Sequence, residues 1–163
     1  RYERQCEAIN TVESRQSQPY QHLATNILVC RSVLGEKPYD ENISHYGYED
    51  VLLGKRFQQQ QVAIKHIDNP VLFCDFADNA SYLAKTEEAL RTLFTFRNEL
   101  KGYSRLLDKA EQIERLHLSP LFVIAYKLFN EPIKNCLLGN KPKVFWFNIY
   151  KLLYYLHYTK NAI

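Results

Sequence analysis

Residues 78–107, DNASYLAKTEEALRTLFTFRNELKGYSRLL, decide the fold class. Leu83, Leu90, Leu93, Phe94 and Leu100 recur at separations of three, four and seven, which places them on one face of an α-helix. Polar and charged residues fill the intervening positions. The spacing predicts a helix over 78–107, with Gly102 as the place where it kinks or divides. A charged helix over 108–116 follows, where Glu111 and Arg115 stand at the i,i+4 spacing that supports helices.

Beyond these helices, Ser119-Pro120 reads as a helix start, a capping serine followed by proline at the first helical position. That helix is expected over 121–138, interrupted near Pro132 and closed by Gly139. A final helix is expected after Pro142. Towards the N-terminus, 1–17 reads as a polar helix with Tyr2, Cys6 and Ile9 inward. Pro19 opens a second helix carrying Leu23, Ile27, Cys30 and Leu34, with Gly35 as its stop. Residues 36–48 have turn chemistry throughout. A third helix is expected over 49–66 through Val51, Leu52, Phe57, Val62 and Ile64, with Gln58 to Gln61 on a solvated face. Asn69-Pro70 interrupts the pattern, and 71–76 reads as a packed apolar loop. The expectation is an all-α, single-domain bundle of six or seven helices spanning residues 1–163.

Composition agrees with that class. The chain has 163 residues, enough for one domain with a proper core, and few turn-formers, Gly 5 and Pro 6. It begins at Arg1 and holds no methionine, which reads as a piece excised from a longer protein. Cys6, Cys30, Cys74 and Cys136 are isolated, with no CxxC pair and no histidine at metal spacing. Reduced, mostly buried thiols are the expectation, and neither a metal nor a cofactor is expected. The most apolar run, 144–158, contains Asn148 and Lys151 and is shorter than the roughly 20 residues of a membrane span.

Charge is mild in total, +3, but unevenly placed. Residues 132–163 hold five lysines (134, 141, 143, 151 and 160), seven aromatics and no acid, so the rest of the chain is slightly acidic. The informative stretch is NKPKVFWF, 140–147, which carries the only tryptophan. Periodicity places Phe147, Ile149, Leu152, Leu153 and Leu156 in the core and makes the last helix central, with Asn148, Lys151, Tyr155 and Tyr158 on a narrow polar stripe. Phe145 and Trp146 stand in its first turn beside Lys141 and Lys143. Indole and lysine together suit a lipid interface, where the ring is amphipathic and ammonium groups meet anionic headgroups. Leu121 and Phe122 form a second apolar helix entrance and a second candidate insertion tip.

A specific headgroup requires convergent donors, for which the candidates are Lys55 and Arg56 after Gly54, Lys85 and His157, besides Lys141 and Lys143. Familiar enzyme motifs are not found: no HExxH, GxSxG or Gly-rich phosphate loop, and no nucleophilic Cys beside a His-and-Asn signature. Asp75 with Asp78, or Glu87 with Glu88, could form an acid pair but read more simply as solvated charges, so no enzyme is expected. The basic footprint is too narrow, and too poor in arginine, for nucleic acid.

A Lys/Tyr/Asn-rich helical chain without catalytic motifs, ending in Lys141-Pro-Lys-Val-Phe-Trp-Phe147 and His157, resembles the phosphoinositide-binding helical domains at the carboxyl ends of secreted Legionella-type effectors. The resemblance implies a cationic pocket for phosphatidylinositol 4-phosphate, an adjacent apolar tip, and a place on the cytosolic face of a host membrane after secretion. The residues and the resemblance together lead to a non-enzymatic peripheral module binding anionic lipid. The competing expectation is a helical interaction domain whose aromatic end docks a host or partner protein.

Overall fold

A computed structural model describes residues 11–21, 23, 26–35, 45–69, 74 and 76–162. Among these the protein is all-α, with seven helices and no strand. Contacts gather into two compact units, Tyr2–Phe76 and Ala77–Ile163.

The described part of the first unit holds α1 (Val12–Ser17), α2 (Arg31–Leu34) and α3 (Glu49–Gln59). The helix expected over 1–17 survives as α1, capped by the Thr11 hydroxyl; its earlier residues lie outside the described ones, as do residues 36–44 of the long loop and most of 71–76. The second helix shrinks to the single turn of α2, and Leu28 and Cys30 are exposed. A close approach precedes it. The chain at Tyr20 and Leu23 crosses α3 at Gly54, where an added Cβ would overlap the Tyr20 carbonyl oxygen.

Nor does α3 reach residue 66. Gln61 takes a left-handed conformation (φ 54°), the Gln61 N–H donates to the Gln58 carbonyl, and the Val62 N–H donates to that of Phe57. This is a Schellman stop with glutamine where glycine is usual. Residues 62–67 then run without helix, and side chains occupy their backbone groups. The Tyr20 hydroxyl donates to the Val62 carbonyl at 2.9 Å. The Gln16 amide donates to Ile64 and accepts from the His66 N–H. A continuing helix would break all three bonds.

The second unit is a bundle of α4 (Asn79–Thr95), α5 (Arg105–Arg115), α6 (Ser119–Leu138) and α7 (Val144–Asn161). Asp78 caps α4 by accepting the Ser81 N–H at 2.8 Å, and that bond holds the carboxyl below its usual range. The helix ends at Thr95, so the expected element over 78–107 is two. Turns fill 96–103, Gly102 has φ +78°, and Ser104 caps α5 by accepting from the Leu107 N–H. Glu111 meets Arg115 as expected and also Lys101. A left-handed His117 (φ 57°) closes α5 with a second Schellman bond, from the Leu118 N–H to the Ile113 carbonyl.

In α6 the N-cap is Leu118, whereas Ser119 is the first helical residue and buried. Pro132 does not interrupt the helix. An interior proline costs about 3 kcal/mol in an isolated helix. Ile133 and Leu137, which follow it in the helix, are buried, and burying a large aliphatic side chain stabilises by about 1.5–3 kcal/mol. The last helix, α7, is central, packing against α4, α5 and α6. Phe147, Leu153 and Leu156 are buried as periodicity predicted, while Ile149 and Leu152 are half-buried. Tyr155, placed on the polar stripe by the sequence, is core, and so is Tyr150.

Candidate functional site

Ring and ion-pair contacts fix the directions of the three long helices. Tyr82 meets Phe147, and Phe94 meets Tyr158, so α4 and α7 run parallel. Tyr126 meets both Tyr154 and His157, while Lys134 reaches Glu87, so α6 runs the other way. One end of the bundle therefore gathers the start of α4, the end of α6 and the start of α7. There the Asn79 side-chain amide donates to the Gly139 carbonyl at 3.0 Å.

Lys141, Lys143, Phe145 and Trp146 all stand at this end. Both lysines are exposed and make no ion pair among the described residues. Phe145 is 65 % exposed and Trp146 37 %, with their rings edge to face at 5.4 Å. Lys85, exposed in the second turn of α4, belongs to the same end of that helix. His157 does not. It follows Lys143 by fourteen residues, about 21 Å along a helix, and stacks on Tyr126 at 4.3 Å. Burial, and secondarily Lys127, lower its pKa. Lys55 and Arg56 belong to the first unit, where the Arg56 guanidinium donates to the Leu34 carbonyl at 3.2 Å. Within the second unit, three of the six headgroup candidates therefore share an end.

The insertion candidates are related differently. Leu121 and Phe122, at the start of α6, lie at the opposite end from Trp146, yet all three line one open groove of about 590 Å³ between α6 and α7. Ala125, Phe129, Pro132 and Cys136 continue its α6 wall, and Ile149 and Leu153 its α7 wall. The lining side chains are apolar except for the Cys136 thiol and the Trp146 indole N–H. Beside the groove α6 also exposes Ile124 and Leu128. Sequence reasoning missed this surface, although α6 did carry its signal: apolar residues occupy most of its circumference, more than one packed side requires. The three described cysteines are free and exposed, contrary to the buried thiols expected.

The side of the hairpin that faces α4 has the opposite character. Glu87 accepts a 2.5 Å hydrogen bond from the Tyr150 hydroxyl and pairs with Lys134 at 3.1 Å. Tyr126 and Tyr154 ring this pair. Burial first, then the bond to Glu87, push the Tyr150 phenol far above its usual value. Burial likewise raises Tyr126 and Tyr154.

Among the described residues no group of His, Cys, Asp and Glu is placed to hold a metal ion, and no helix is long and apolar enough to cross a membrane. No family model, curated protein sequence or solved structure matches the chain.

Proposed function

We propose that this chain is a non-enzymatic, peripheral membrane-binding module that recognises anionic lipid, with a phosphoinositide as the species its resemblance implies. The observation that carries the reading is the exposure of Phe145 and Trp146 beside two exposed lysines at the start of α7. Lys141 and Lys143 draw the surface to anionic headgroups, each contributing about 1 kcal/mol. The aromatic pair enters the interface, and Lys85 is the nearest further headgroup candidate by its place on α4. The place of action is the cytosolic face of a membrane, inside a host cell if the chain is secreted.

Co-sedimentation with vesicles tests this. Binding is expected for vesicles containing phosphatidylserine or a phosphoinositide at low salt, and its loss in Lys141→Glu with Lys143→Glu. No binding at low salt, or binding unaffected by these changes, ends the proposal. A second reading, docking of a partner protein, is favoured by one observation. Leu121, Ile124 and Leu128 are exposed on α6 at the three-to-four spacing through which helices pair.

A further inference from the structure

We infer that the groove between α6 and α7 receives one acyl chain of the anionic lipid, drawn out of the bilayer, with the headgroup at Lys141 and Lys143. The inference rests on the membrane reading above and names the part of the lipid that this second surface takes.

Three properties point to a single hydrocarbon chain. The first is polarity: the lining is apolar except for the Trp146 indole N–H at the lysine end and the Cys136 thiol. A peptide backbone laid there in extended form would lose water and gain few partners, whereas a hydrocarbon has no such groups to satisfy. The second is size. From Leu121 to Cys136 the α6 wall spans fifteen residues, about 22 Å. One leaflet of a bilayer core is roughly 15 Å thick, so an acyl chain fits within that length. The groove holds about 590 Å³, within the usual range for a small-molecule site.

The third property is charge. The exposed Lys141 and Lys143 stand at the Trp146 end, residues 132–163 contain no acid, and the carboxylate at the start of α4, Asp78, is engaged by the Ser81 N–H and hydroxyl. Leu121 and Phe122 line the far end. Cations at one end and apolar side chains at the other give the groove the polarity of a single-chain anionic amphiphile. The two entrances that the sequence presents as separate insertion tips become the two ends of one site.

Trp146 is the only indole in the chain and lines the groove, so its fluorescence reports occupancy directly. The probe is bromine-tagged dodecanoate, titrated below its critical micelle concentration without vesicles. Saturable quenching at one probe per chain is expected. It should weaken at least about tenfold in Ala125→Phe, which fills the middle of the groove with a ring. Cys136→Phe, nearer the lysine end, is the second variant should the first fail to fold, as judged by circular dichroism. Non-saturating quenching, or equal quenching in a folded groove-filled variant, overturns the inference.

Vesicle co-sedimentation of the same proteins separates the two claims. A groove-filled variant that still sediments while wild-type shows no saturable quenching leaves the membrane reading standing and removes the acyl site. Saturable quenching without sedimentation does the reverse: it keeps an acyl site and removes the bilayer as its source.

Discussion

The two sides of the α6–α7 hairpin are made from similar residues and have opposite fates. Towards α4, tyrosines and aliphatic side chains are closed in, and the Tyr150 hydroxyl donates to Glu87, which pairs with Lys134. Away from α4, leucines and aromatics of the same two helices line an open groove or face solvent. Hydrophobicity does not separate the sides, because both are apolar. What separates them is the presence of a covering helix, and a surface of this kind left uncovered is where binding is expected.

Truncation on the closed side should have the largest effect. Leu156 is fully buried, and Leu156→Ala is expected to lower unfolding free energy by about 2–5 kcal/mol in urea titration. Tyr150→Phe comes next. It keeps the ring but removes the hydroxyl bonded to Glu87, with an expected loss of about 1.5–3 kcal/mol, towards the low end because Glu87 is partly solvated. Equal stability in these variants and wild-type would erase the contrast between the two sides.

The closed side also makes stability depend on pH. Because the folded state raises the Tyr150 phenol above the usual 10.0, the unfolded chain loses its proton first as pH rises. The stabilisation is thus complete below pH 10.0 and declines above it. One proton corresponds to a slope of about 1.4 kcal/mol per pH unit. Urea midpoints measured across that range should fall less steeply in Tyr150→Phe than in wild-type, with Tyr126 and Tyr154 retaining part of the slope.

On the open side the effects should move from stability to binding. Replacing Lys141 and Lys143 together by alanine is expected to weaken partition onto anionic vesicles by about 2 kcal/mol, roughly thirtyfold, with the thermal midpoint unchanged. The smallest effect belongs to Leu128→Asn. Leu128 is 66 % exposed, and its replacement should change stability by less than about 0.5 kcal/mol. A larger loss would mean that something covers this face in solution, which the sedimentation coefficient would reveal.

The sequence legibly carried α7, the starts of α4 and α5–α6 boundaries to within a turn, and the basic-aromatic entrance at 140–146. Each depends on local terms: apolar spacing, a capping Asp78, a turn rich in Lys and Pro. It misread the places where distant chain decides. The helix after Pro19 gives way to a segment crossing at Gly54, and α3 stops at a left-handed Gln61 because Tyr20 and Gln16 take the backbone groups beyond it. Tyr155 looked polar by residue type but has room and cover inside the bundle.

The all-α class, the central last helix and the meeting of charge with aromatic area at 140–146 are local properties, since periodicity and composition belong to neighbours along the chain. Which apolar stripe of α6 is covered depends on how the helices pack. That packing also separates His157 from Lys143 and joins Leu121, Phe122 and Trp146 along one groove. The reason is geometric: helix direction and pairing bring together residues that lie far apart in sequence, and no local preference encodes which side of a helix its neighbours leave open.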